Sequence, residues 1–164
     1  MELTFEKQLE SIPETEYLIS DLELDDEVAI LMCICKAFEI SQSVSFVVGG
    51  FGQDNWPVDC RTDLCTVIEQ VPDILGKTRA GIYSFELDFY EQGIERRLLF
   101  KEDTNLVKVT CISRTKWEPH PSSMFMEKAV VSKIFEKIYS DFWHLSAVLC
   151  EGIHKKFSRT CSQP

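Results

Sequence analysis

The longest uninterrupted apolar run, Val28 to Cys35, falls far short of the roughly 20 residues that cross a bilayer, so no membrane span is expected. No cleaved leader is expected either: Met1-Glu2-Leu3-Thr4-Phe5-Glu6 is acidic where a secretory signal is basic, and the expected compartment is the cytoplasm. Bases are scarce, 17 Lys and Arg against 27 Asp and Glu, and a net charge of −10 repels phosphate backbones, so direct nucleic-acid binding is not expected. Neither G-x-x-x-x-G-K-[ST] nor G-x-G-x-x-G occurs, and no C-x2-C has a matching second pair, so no cofactor and no metal is expected. The seven cysteines are odd in number, and four sit in apolar periodic segments. That pattern fits free thiols serving as small core hydrophobes in a reducing compartment rather than a disulfide framework.

What is present suits one folded domain: 164 residues, 45% hydrophobic and 27% charged. The charge is uneven, with eleven acids and two bases in residues 1–40, twelve and nine in 41–126, and four and six in 127–164. Phe5, Leu9 and Ile12 recur at helical spacing before Pro13 and predict a short helix. Asp25 is the expected N-cap of a second helix whose inner face carries Val28, Leu31, Cys35 and Phe38. Ser43–Val48 reads as a strand entering Gly49-Gly50-Phe51-Gly52. Leu64, Val67, Ile68, Val71, Ile74 and Leu75 predict a third helix, with Asp59 or Thr62 as cap, Pro72 as a possible kink and Gly76 as its stop. The period then changes to two at Tyr83, Phe85, Leu87 and Phe89. Turns at Gln92-Gly93 and Asp103–Asn105 lead into strands 94–101 and 106–113, an antiparallel meander. From Ser123 onward, apolar residues at helical spacing predict one long helix or two stacked ones, interrupted near Gly152. The expected fold is α+β: a meander of three strands plus at least one more, packed against N-terminal, middle and long C-terminal helices. The domain is expected over 1–157, with 158–164 a frayed tail.

Candidate chemistry is thin. Cys150 and His154 stand one helical turn apart, but no third orienting group accompanies them, so Cys150 reads as core. Glu86 and Asp88 share one strand face at roughly 7 Å, a spacing a glycosidase could use. Arg96, Arg97, Lys101 and Lys108 are placed on the same exposed side, and cross-strand charge pairing explains the acids without catalysis. The glycine loop reads as a turn needing positive φ rather than a phosphate cradle. What remains is an acidic surface with loop tryptophans, Trp56 and Trp117, each an interface anchor or a lid on the core. The expectation is a protein without an enzymatic activity that binds another protein. Its candidate binding residues are Asp21, Glu23, Asp25, Asp26, Glu27, Asp54, Trp56, Glu86, Asp88, Glu91, Glu95 and Trp117.

Gly49–Gly52 with Gln53-Asp54-Asn55-Trp56-Pro57-Val58-Asp59, the helix Thr62–Leu75 and the hairpin Leu87–Arg96 resemble immunity proteins of bacterial polymorphic-toxin systems, particularly those of contact-dependent growth inhibition. The resemblance covers about a third of the chain. It implies a cytoplasmic protein that binds and blocks the C-terminal toxin domain of a delivered effector, often a nuclease. Nucleases are commonly basic, so an acidic inhibitor competes for the surface that nucleic acid would occupy. An adaptor or regulatory subunit of another complex is the second class compatible with such a surface, and a small hydrolase the third.

Overall fold

Phe85, Leu87 and Phe89 are buried while Glu86 between them is exposed, so the period of two in this segment makes one wet and one dry face. The structure, a computed structural model, describes residues 1–5, 9–18 and 26–153. In it β3 (Phe85–Phe89), β4 (Arg96–Asp103), β5 (Leu106–Ser113) and β6 (Ser123–Glu127) form an antiparallel sheet in the order β3-β4-β5-β6. The register pairs Phe85 with Phe100, Leu87 with Leu98 and Val109 with Met124, which places these residues on one face. Onto that face packs α4 (Lys128–Leu149): the Phe85 and Phe100 rings stack at 4.6 Å, and Phe135 meets both edge-on at 5.7 Å. Beside it α3 (Asp63–Arg79) runs along β3.

The remaining elements are β1 (Glu2–Phe5), α1 (Glu14–Tyr17), α2 (Glu27–Ser41) and β2 (Val44–Val47). Ile30, Cys33, Ile34, Cys35, Ala37 and Phe38 of α2 are all buried, because this helix packs on α1, α3, α4 and β2. The fold is therefore α+β, with a four-stranded antiparallel sheet, a separate two-stranded one and a long C-terminal helix.

Several boundaries differ from the sequence expectations, each for a local reason. Residues 2–5 are a strand and 9–13 are neither helix nor strand, so the described residues do not form the short helix expected before Pro13; residues 6–8 lie outside them. Leu3 is the residue that β1 buries. The strand expected at 43–48 pairs with β1, Leu3 opposite Phe46, instead of joining the meander. The meander takes its fourth strand from 123–127, where a helix was expected. Met124 and Met126 there pair with Val109 and Val107, while Phe125 points outward and is exposed. In α2 the cap is Asp26, whose carboxylate accepts from the Val28 amide at 3.1 Å, and Val28 is exposed. Asp25 lies outside the described residues, as does the segment 158–164. Gly76 does not stop α3, which runs to Arg79. The β3–β4 connection is Tyr90–Glu95, longer than a two-residue turn, whereas Thr104-Asn105 closes the next hairpin tightly. α4 ends at Leu149, before Gly152; a Cβ on Gly152 would stand 1.6 Å from a Glu14 carboxylate oxygen.

Candidate functional site

Three connections converge at the β4 N-terminal end of the sheet: the glycine loop 49–59, the turn 90–95 and the segment 114–122. Backbone hydrogen bonds tie them together, from the His120 amide to the Phe51 carbonyl at 2.8 Å and from the Arg114 amide to the Glu95 carbonyl at 2.9 Å. Close backbone approach adds to this, at Gly49 within the glycine loop and at Gly52 between that loop and the segment 114–122. A Cβ on Gly49 would lie 2.1 Å from the Asp54 carbonyl oxygen, and one on Gly52 2.3 Å from that of His120. Inside the glycine loop the Gly50 and Gln53 amides bond each other's carbonyls, so these donors are occupied rather than offered to a phosphate.

At the centre sits Arg96. Consecutive strand residues point to opposite faces, and because Leu98 and Phe100 face the core, Arg96 faces it as well. The expectation that Arg96 shares the exposed face with Arg97 is thus corrected: Arg96 is 4% exposed. Its guanidinium lies 3.5 Å from the Trp117 ring centroid and 4.4 Å from that of Trp56. Nη2 donates to Gln53 Oε1 at 2.8 Å, while Nε and Nη1 have no acceptor among the described residues. No carboxylate among the described residues pairs with it, and two indole faces supply the negative potential instead. Burial pulls its pKa down, and the neighbouring Cys111 opposes this.

The sequence-nominated residues divide by environment. Trp56 is buried, its indole N–H bonded to the Gly50 carbonyl at 3.2 Å, so it acts as a lid on the core and is not available as an anchor. Trp117 is half-buried and lies over Arg96. The same connections carry Asp54, exposed, and Glu91 and Glu95, half-buried; none forms a salt bridge among the described residues, although, after Asp88, the Glu95 charge adds to the rise in the Arg114 pKa. Asp88 is instead held by Arg114 through two bonds of 2.6 and 2.9 Å, and Arg114 also donates to the Phe89 carbonyl. Asp88 in turn raises the pKa of Arg114. Glu86 faces Arg97 at 3.4 Å. These two acids are neutralised within the sheet, which weakens them both as a docking cluster and as a catalytic pair. Asp26 and Glu27 are exposed at the start of α2; Asp21, Glu23 and Asp25 lie outside the described residues.

One acid escaped the sequence reading. Asp63, the first residue of α3, is buried; its Oδ2 accepts from the Asp59 amide at 2.9 Å and its Oδ1 has no partner among the described residues. Burial pushes its pKa up to about 6, with the Asp59 and Glu91 charges adding to the rise and the Asp59 amide opposing it. The sequence signal was the run Asp59, Thr62, Asp63 at a helix start, where the Asp59 carboxylate accepts from the Thr62 amide at 2.6 Å. Cys150 is buried, and burial pushes its thiol up to about 12, against the thiolate that nucleophilic chemistry requires. His154 lies outside the described residues. Among the described residues no three His, Cys, Asp or Glu side chains group as metal ligands, and no helix is long and apolar enough to cross a membrane.

Comparison with protein-family models, curated proteins and solved structures returns no match.

Proposed function

We propose that this chain is an immunity protein that neutralises a toxin by docking a basic domain, of the nuclease kind, against the loop end of its sheet. The observation that carries the reading is that Asp54, Glu91 and Glu95, none in a salt bridge among the described residues, lie on the connections that meet at this end of the sheet, where half-buried Trp117 covers Arg96. Acids without salt bridges on the same end as a partly exposed tryptophan complement a basic, polyanion-binding cleft, and such complementarity selects the partner and speeds encounter. The neutralised pair Glu86 and Asp88 contributes less to that field, so the loop end is preferred over the strand face.

The test is co-expression with the product of the adjacent upstream gene, followed by co-purification and affinity measurement. The triple variant Asp54→Lys, Glu91→Lys, Glu95→Lys is expected to lose affinity by on the order of 100-fold or more, and with it protection of growth. The control Glu86→Gln is expected to bind within about threefold of the parent, since its charge is already met by Arg97. Equal binding by the triple variant and the parent would remove the proposal.

A further inference from the structure

Between the inner face of the sheet and α4 lies a cavity of about 130 Å³. Four aromatic side chains, Phe51, Trp56, Phe100 and Phe135, form much of its wall. Aliphatic and methionine side chains form the rest, and none of the lining side chains carries a charge. Its one polar side-chain group, the Trp56 indole N–H, is bonded to the Gly50 carbonyl. Water needs two to four polar partners to remain in such a space; the lining side chains offer none, and the one ionisable group of a lining residue is the Met1 α-amino group, whose pKa burial lowers. The cavity is also reachable. Leu98, on the inner face of the sheet, stays half-buried, as do Met124, Met126 and Ile134, while Gly49 at the rim is exposed. Methionine thioethers at an entrance re-pack easily around a guest and favour contact with aromatic rings.

We infer that this cavity is a binding site for one uncharged, monocyclic aromatic molecule of about benzene size. The volume sets the upper limit, because cavities of about 150 Å³ with this kind of lining stay dry and accept benzene. The chemistry of the wall sets the class: an aromatic ring finds offset and edge-on partners, whereas a hydroxyl or a charge finds no hydrogen-bonding partner among the lining side chains. The cavity shares Gly49, Phe51 and Trp56 with the glycine loop, but its lining includes none of the acids of the loop end, so the inference does not depend on their role.

The experiment is titration of the full chain with benzene, followed through the methyl resonances of Met124, Met126 and Ile134. Saturable one-to-one shifts at these methyls are expected, with phenol at least tenfold weaker because its hydroxyl has no acceptor. Leu98→Phe, which places a larger side chain in the cavity, is expected to weaken benzene at least tenfold, and Val109→Ile to weaken it less. Absence of saturable shifts in the parent protein, or phenol binding as well as benzene, would overturn the assignment. So would unchanged binding in both folded variants.

Discussion

Replacing Arg96 separates two effects that its position superimposes, the packing of its long side chain between two indoles and the burial of two nitrogens that lack acceptors. Arg96→Met keeps most of the apolar contact and removes the unsatisfied donors, so its urea midpoint should correspond to a stability within about 1 kcal/mol of the parent, or above it. Arg96→Ala leaves a gap under Trp117 and should cost about 2–3 kcal/mol. Equal losses in the two variants would mean that the charge itself, and not the packing, holds this end together. Asp63 offers a second measurement. Its folded pKa of about 6 stands above the ordinary 3.8, so between these values the folded state binds more protons than the unfolded one. Stability contributed by this group is therefore full below about pH 4, falls as pH rises to about 6, and is level beyond. The shift corresponds to a burden of about 3 kcal/mol at neutral pH. Asp63→Asn should raise the urea midpoint at pH 7, leave it nearly unchanged at pH 3.5, and flatten the slope between; a variant no more stable at pH 7 would contradict this.

At the scale of elements, α3 does more than cover the sheet. The Gln70 side chain accepts from the Asp88 amide at 2.9 Å and donates to the Asp88 carbonyl at 2.8 Å, so a side-chain amide stands in for a neighbouring strand along the outer edge of β3. Gln70→Ala should expose both groups, cost about 1–2 kcal/mol and speed hydrogen exchange at the Asp88 amide well beyond that of its neighbours. Exchange at Asp88 that tracks global unfolding in the variant would argue against the role. Elements with long periodic signals were legible beforehand: α3, α4 and β3 follow from apolar spacing, and β4 and β5 from the turn residues that precede them. The short strands were not. In β1 one residue, Leu3, carries the burial, too few for a period, and the nearby spacing of Phe5, Leu9 and Ile12 imitates a helix turn. In β6 the alternation of Met124, Phe125 and Met126 runs into α4 without a glycine or proline to mark the change. The candidate site was legible as a set of residue types but not as a place. What hid it was the parity of Arg96 and Arg97: without the register, either could face the core.

For the molecule as a whole, the excess of acid is not spread evenly over what the structure describes. The outer face of the sheet mixes Glu86, Asp88 and Asp103 with Arg97, Lys101 and Lys108, whereas the loop end carries Asp54, Glu91 and Glu95, which form no salt bridge among the described residues, beside Arg114, which Asp88 holds. The long-range field that a basic partner meets should therefore lead to this end. The association rate with the toxin domain is expected to fall at least tenfold between about 50 and 300 mM salt as screening shortens the Debye length, with the dissociation rate changing far less. An association rate indifferent to salt would sink the electrostatic part of the proposed function.

The crowding of Gly49 on the Asp54 carbonyl and of Gly52 on that of His120 reaches beyond turn geometry. With main chain pressed against main chain at Gly52 and His120, the glycine loop cannot shift without moving the segment 114–122, so Asp54 is presented from a preorganised frame. Recognition then requires little ordering at the moment of contact, and the main chain of the free and bound forms should superimpose closely.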